Sequence, residues 1–127
     1  MVPMFLNGTA MRGGAAHDAL QGARLVAEIS SAPRYRFFAV RGEFPGMTPA
    51  VPGETGCRVA GELYELPLDV LRDSLLPTEP PELELGVIEL ANGEASLAMV
   101  LRDQFRGHHT LEDISALGSW REYQQQR

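Results

Sequence analysis

Short apolar runs separated by turns rich in glycine, proline and asparagine dominate this chain, a pattern that predicts a structure built mainly from strands. The first run, residues 4–6, leads directly into a loop with three glycines at residues 7–14. Asn92-Gly93 between the last two runs is a strong hairpin signal. Six segments have strand composition: residues 4–6, 23–29, 34–40, 57–66, 83–90 and 95–101.

Helical signals are fewer and shorter. Residues 15–20 predict one or two helical turns, and Pro67 fits the first position of a short helix, where a missing N–H costs nothing. Thr110 with Asp113 three residues later resembles a helix start. The apolar face of the helix after Pro67 is predicted at helical spacing: Leu68, Leu71 and Leu75.

Residues 42–56 interrupt the pattern, since they contain three prolines and four glycines with little periodicity. We expect a long loop there, of the kind that often serves as a lid or a binding loop. The elements together predict an α+β fold: a small, mainly antiparallel β-barrel with flanking short helices. A chain of 127 residues fits a single domain over residues 1–127, large enough to fold without a disulfide or a metal.

Charge and cysteine content narrow the function classes. Seventeen acidic residues against eleven Lys and Arg give a net charge of −6, which argues against nucleic acid or an anionic membrane as the main partner. The single cysteine, Cys57, excludes an internal disulfide and a thiolate-rich metal site, so we expect a reducing, cytoplasmic setting. We also see no signal peptide and no apolar run long enough to span a bilayer.

The loop after the first apolar run is the first candidate site. Asn7-Gly8-Thr9-Ala10 follows a predicted strand directly, and Arg12 comes shortly afterwards. Glycine lets the backbone approach a ligand, and successive free N–H groups can hold a carboxylate or an oxyanion. The alternative interpretation is an ordinary tight turn.

Two further glutamates could carry chemistry. In segment 57–66, Glu62 and Tyr64 share a face with Ala60, and they either face solvent or line the wall of a ligand cavity. Glu79 follows the short helix and precedes two prolines that hold the backbone extended. Burial beside apolar strands would raise the pKa of such a carboxyl and suit it to general acid–base work, although a charged surface connection remains the alternative.

Several other residues favour structural interpretations. No histidine stands at a recognisable spacing to activate Cys57 as a nucleophile. The adjacent His108 and His109 point in different directions on an extended backbone, so we expect no metal site and no cofactor. Trp120 is expected to anchor the C-terminal segment on the domain as a buried aromatic side chain.

At this point the residues resemble a known family. Residues 5–11 and 61–66 resemble the first loop and the central strand of the γ-glutamylcyclotransferase-like fold. The chain is more closely similar to the C-terminal domain of allophanate hydrolase, and the closing segment, 113–123, is the most specific part. The other matching segments are His17 to Leu20, Tyr35-Arg36, Pro45-Gly46, Glu62 and residues 83–90 with Gly86.

The resemblance implies a small anionic substrate and a role in urea and allophanate metabolism. In that family the domain assists decarboxylation of a carboxylated carbamate that an amidase domain supplies, so this chain would be a stand-alone relative, serving a separately encoded amidase. The glutamate at position 79 is instead typical of cyclotransferases, which release 5-oxoproline from γ-glutamyl amines. A third possibility is a non-catalytic binding subunit.

The residues assigned to these roles are the same in the two enzymatic hypotheses. Glu79 and Glu62 are the candidate catalytic residues: Glu79 would act as general acid/base, and Glu62 with Tyr64 would polarise or orient the substrate. The N–H groups of residues 7–10, together with Arg12, would hold its anionic group.

Overall fold

The computed structural model describes residues 1–127, which form two sheets and several short helices. The larger sheet has five strands in the order β2-β5-β1-β7-β6, and the smaller has three in the order β4-β3-β8. Every pairing is antiparallel except that of β1 with β7. The strands are β1 Val2–Leu6, β2 Arg24–Ser30, β3 Tyr35–Val40, β4 Phe44–Pro49, β5 Ala60–Leu66, β6 Leu83–Glu89, β7 Ala95–Leu101 and β8 Leu111–Asp113.

The α+β class is confirmed, but the expectation of a closed barrel is wrong. Closure needs continuous pairing around the sheet, whereas β2 and β6 are the outer strands of an open five-stranded sheet. The segments that directly follow β2 and β6 are paired only by one isolated bridge, Ser31 with Leu90. β3 pairs with β4 and β8 instead, so the structure consists of two sheets.

The helices are short and irregular. The predicted helix after Pro67 starts as α1, Leu68–Val70, widens into a π-helical turn at Leu71–Leu75 and tightens into a 3₁₀ turn at Leu76–Thr78. Leu71 and Leu75 are buried as expected, whereas Leu68 is exposed. The remaining helical segments are 3₁₀ turns at His17–Leu20 and Asp103–Phe105 and helix α2, Trp120–Gln125.

Two local expectations are corrected. β4 lies inside the stretch expected to be a loop; it is an outer strand of its sheet, a position where prolines are tolerated because no N–H is required there. Thr110 and Asp113 do not start a helix, since Leu111–Asp113 pairs with β3 instead. No helix is both long enough and apolar enough to cross a membrane.

The core positions the first loop and the C-terminal helix. β1 lies between β5 and β7, so the loop after Leu6 emerges from the middle of the larger sheet. The expected anchoring of the C-terminal segment is confirmed, because Trp120 is 2% exposed within the main hydrophobic core. Ser119 caps α2 by accepting a hydrogen bond from the Glu122 amide at 3.3 Å.

Candidate functional site

A cavity of about 250 Å³ opens where the first loop meets β4 and the segment after the π-helical turn. Its polar lining comes from the loop at 7–10, from Glu43 just before β4, and from Thr78 and Glu79. The volume suits a molecule of a few heavy atoms more than a large ligand. The apolar wall consists of Phe5, Leu6, Phe44, Pro45, Pro80, Leu83 and Met99.

The loop offers four consecutive backbone N–H groups. Met11 N–H donates to the Gly8 carbonyl at 3.1 Å, which turns the chain, but the N–H groups of residues 7–10 donate to no backbone acceptor. Gly8 packs so tightly that a Cβ there would lie 2.6 Å from the Pro45 ring. A glycine is therefore required at position 8. The N–H groups of residues 7–10 that donate to no backbone acceptor are available to bind an anionic group.

Glu79 presents a carboxyl with an altered proton affinity to the same cavity. Its backbone is extended, with φ −77° and ψ 141°, and its N–H donates to the Leu76 carbonyl at 3.1 Å. Burial against the apolar wall raises the pKa of Glu79 from 4.5 to about 7, and no charged partner offsets this effect. A carboxyl with this pKa can both give and take a proton near neutral pH.

Glu62 has the opposite environment. It is fully buried and accepts hydrogen bonds from Arg12 N–H and Arg12 Nε, both at 2.9 Å, from Tyr64 OH at 2.9 Å and from Arg121 Nη2 at 3.1 Å. Burial alone would raise the pKa of Glu62, but these donors outweigh it and hold the pKa at about 2. Burial and the bond to Glu62 raise the pKa of Tyr64 to about 12.

This cluster ties three parts of the chain together. Arg121 Nη2 also donates to the Arg12 carbonyl at 2.8 Å, so α2 and β5 both hold the end of the first loop. Arg12 further pairs with Glu28 on β2. The buried Glu62 and Tyr64 and the half-exposed Arg12 and Arg121 form a support behind the loop, which we call the Glu62 cluster.

The structure therefore divides the predicted site residues into two groups. Asn7, Gly8, Thr9, Ala10 and Glu79 line the cavity. Arg12, Glu62 and Tyr64 lie outside the cavity lining and within the Glu62 cluster. Glu62 and Tyr64 are buried on β5 and do not face solvent, but neither lines the cavity, so both expected positions for them are wrong.

Sequence reasoning missed two residues. Arg121 belongs to the closing segment, so the Trp-Arg pair in that segment was the signal that could have found it. Glu43 stands in the stretch without periodicity, where the sequence carries no signal for it. No group of three or more His, Cys, Asp or Glu side chains lies close enough to hold a metal ion.

Solved structures of similar fold include those of three proteins. A protein described as specific to uropathogenic E. coli is 32% identical with a TM-score of 0.88, and the match covers 98% of this chain and 95% of that one. Kluyveromyces lactis allophanate hydrolase, as an S177A variant, is 22% identical with a TM-score of 0.86 and 96% of this chain covered. K. lactis urea amidolyase is 23% identical with a TM-score of 0.89 and 98% covered.

The matched region is a small part of the two yeast enzymes, namely 20% of the allophanate hydrolase chain and 8% of the urea amidolyase chain. A search of the curated proteins finds no match. The family described as the allophanate hydrolase C-terminal domain matches residues 2–125, which is nearly the whole chain. The chain belongs to the allophanate hydrolase C-terminal domain family.

Proposed function

We propose that this chain binds a small carboxylated amide or carbamate of urea and allophanate metabolism in the cavity and assists its decarboxylation. One observation carries the proposal: residues 7–10, whose N–H groups donate to no backbone acceptor, and Glu79, whose carboxyl has a pKa near 7, line one small cavity. The first feature suits an anionic group and the second suits proton transfer. Membership of the family supports the substrate class.

The proposed reaction needs one proton delivered to nitrogen. As the bond between the substrate nitrogen and its carboxyl carbon breaks, CO₂ leaves and the bonding electrons stay on the nitrogen. Glu79 in its neutral form donates the proton that this nitrogen takes up, and the resulting carboxylate is protonated again from water. The apolar wall of Phe5, Leu6 and Met99 keeps Glu79 partly neutral, since desolvation disfavours the charged form.

Glu62 has a positioning role in this proposal. With a pKa of about 2 and four donors directed at it, it stays ionised and cannot exchange protons near neutral pH. Its bond to the Arg12 N–H fixes the loop two residues beyond Ala10. A rigid loop keeps the free N–H groups in place before the substrate arrives.

The first test is binding. Malonate, a small dicarboxylate, is titrated into protein whose backbone amides are followed by NMR. The amide signals of Gly8, Thr9 and Ala10 should shift, while that of Gly93, in the distant β6–β7 turn, should not. Shifts elsewhere with none in the loop would refute the anion site.

The second test is turnover, measured as CO₂ release while a separate amidase acts on allophanate and supplies the carboxylated carbamate. Glu79→Gln keeps the size but carries no transferable proton, so the rate should fall by about 10²–10⁴-fold with little change in malonate affinity. Glu84→Gln is the matched control, because Glu84 is an exposed β6 residue outside the cavity. Equal rates for both variants would exclude Glu79 as the acid.

The outcomes also separate the other hypotheses. Release of 5-oxoproline from a γ-glutamyl amine would assign the cavity to cyclotransfer instead. Loop binding without turnover of either substrate would favour an accessory subunit, and co-purification with a separately encoded amidase would then identify its partner.

A further inference from the structure

The cavity lies where the two sheets meet. Phe44 and Pro45 belong to β4 of the three-stranded sheet, whereas Leu83 and Met99 belong to β6 and β7 of the five-stranded sheet. No strand pairing joins β4 to β6, and the close contact of Gly46 with Leu83 is apolar packing. The cavity walls therefore depend on side-chain contacts to stay together.

Arg41 and Glu82 form a polar link between the walls. Arg41 lies in the turn before β4, Glu82 lies directly before β6, and Arg41 Nη1 pairs with Glu82 Oε2. This pair is the only ion pair or hydrogen bond between residues 41–49 and residues 76–83. Burial raises the pKa of Glu82, but Arg41 and a backbone N–H outweigh this effect and lower it, so the pair is ionised near neutral pH.

Arg41 has a backbone conformation that arginine seldom adopts. Its φ is 52° and that of Gly42 is 68°, and two consecutive left-handed residues in a hairpin turn favour asparagine and glycine. Such uncommon conformations persist where the surrounding structure holds them, and they cluster at functional sites. Besides Glu82, the guanidinium binds Glu43 Oε2 at 3.1 Å. It also lies 5.3 Å from the centroid of the Phe44 ring, so one side chain joins several parts of the cavity wall.

Glu82 is connected to Glu79 through a stiff segment. Pro80 and Pro81 lie between them, and each proline fixes its own φ. On one side Arg102 attaches this segment to β7, since its N–H donates to the Glu82 carbonyl and its Nε to the Pro81 carbonyl, both at 2.9 Å. On the other side the attachment is the pair with Arg41.

We propose that Arg41 and Glu82 are positioning residues, whose ion pair is a clasp that holds residues 79–82 against the turn between β3 and β4 and keeps water from the Glu79 carboxyl. The clasp acts on Glu79 through the chain and touches no substrate atom. With the clasp open, water reaches the carboxyl and stabilises its charged form, so less of the neutral proton donor remains. The inference rests on the proposed function and adds the contact that maintains its proton donor.

The test is an NMR titration of the Glu79 side-chain carboxyl, whose signal is identified by its absence in Glu79→Gln. In the wild-type protein its pKa should be near 7. Glu82→Ala opens the clasp but leaves Arg41 bound to Glu43, the only other titratable side chain that lines the cavity. In this variant the acid dissociation constant of Glu79 should rise about tenfold or more, because hydration favours the ionised form. The fall of CO₂ release with rising pH should move to lower pH by the same factor.

Two further variants accompany Glu82→Ala. Glu82→Gln keeps the size of the side chain and can still accept a bond from Arg41, so it should fold and show a smaller rise in the same constant. Asp113→Ala breaks another ion pair, with Arg36 at 2.6 Å, whose residues lie outside the cavity lining. It should leave the titration of Glu79 unchanged.

The possible results separate the clasp from the proposed function. If Glu79 titrates near pH 7 in the wild-type protein and in every folded Glu82 variant, the clasp is refuted while the proton donor stands. If Glu79 titrates near its ordinary 4.5 in the wild-type protein, the proton donor itself is wrong and the inference falls with it. A rise in Asp113→Ala as large as that in Glu82→Ala would assign the effect to general loosening of the fold and would also overturn the clasp.

Discussion

Replacing Glu79 with glutamine should make the protein more stable at alkaline pH and less active. A carboxyl whose pKa rises from 4.5 to about 7 on folding binds more protons in the folded state than in the unfolded state between those values. The free energy of unfolding therefore falls as pH rises through this range. The full loss above pH 7 is about 3 kcal/mol, since each tenfold change in proton affinity is worth about 1.4 kcal/mol.

Glutamine resembles the neutral form of Glu79, so the variant avoids this loss. At pH 4.5 the two proteins should differ little, and at pH 8.5 the Glu79→Gln protein should be more stable by about 2–3 kcal/mol, the lower figure allowing for partial solvent contact. Urea unfolding at both pH values measures the difference. The other ionisable groups are present in both proteins and cancel in the comparison.

Glu84→Gln is again the control, because Glu84 is exposed and its contact with Arg102 is a weak surface pair at 3.4 Å. It should change stability by less than about 1 kcal/mol at either pH. A Glu79→Gln effect of the same size at pH 4.5 and 8.5 would refute the reasoning, because it would arise from packing and not from ionisation. Higher stability with unchanged turnover would leave Glu79 buried but without a catalytic role.

The other predictions concern the supports of the site. Glu62→Gln should lower the free energy of unfolding by about 3 kcal/mol at pH 7. Because the pKa of Glu62 in the folded state, about 2, lies below its ordinary 4.5, this difference should disappear as pH falls from about 5 towards 2, which urea unfolding would measure. Trp120→Ala should cost about 3–5 kcal/mol in the same assay, whereas Trp120→Phe should cost far less, because Nε1 has no hydrogen-bond partner to lose. Gly8→Ala should weaken malonate binding at least about tenfold by calorimetry, since the added Cβ would lie 2.6 Å from Pro45 and the loop must move.

Local signals predicted local structure well. The Asn92-Gly93 turn predicted strands at 83–90 and 95–101, and the structure pairs β6 and β7 from Leu83–Leu101 to Glu89–Ala95. This hairpin depends on residues adjacent in sequence and on a Gly93 φ of 87°, which a turn signal captures. The loop of residues 7–10 and the position of Glu79 between a short helix and two prolines were also predictable, because they too depend on residues adjacent in sequence.

Pairings between distant segments were not predictable from local patterns. β4 was missed because prolines 45 and 49 hide its strand character, and only its place opposite β3 from Val40–Phe44 to Tyr35–Pro49 makes it a strand. The parallel pairing of β1 with β7 joins Met4 to Leu97, a separation that hydrophobic periodicity does not encode. The open arrangement of two sheets follows from such pairings, so composition alone could not exclude a barrel.

The two glutamates show why the roles of site residues need the tertiary structure. Sequence alone favoured Glu79 for acid–base work but left open whether Glu62 has that role instead. Glu62 is held ionised by donors from Arg12 and Arg121, which lie 50 and 59 positions away in sequence. Glu79 has only an apolar wall beside it and keeps a proton near pH 7. Because proton transfer needs a pKa near the working pH, the environment of Glu62 suits a fixed anchor, and that of Glu79 suits the proton donor of the proposed function.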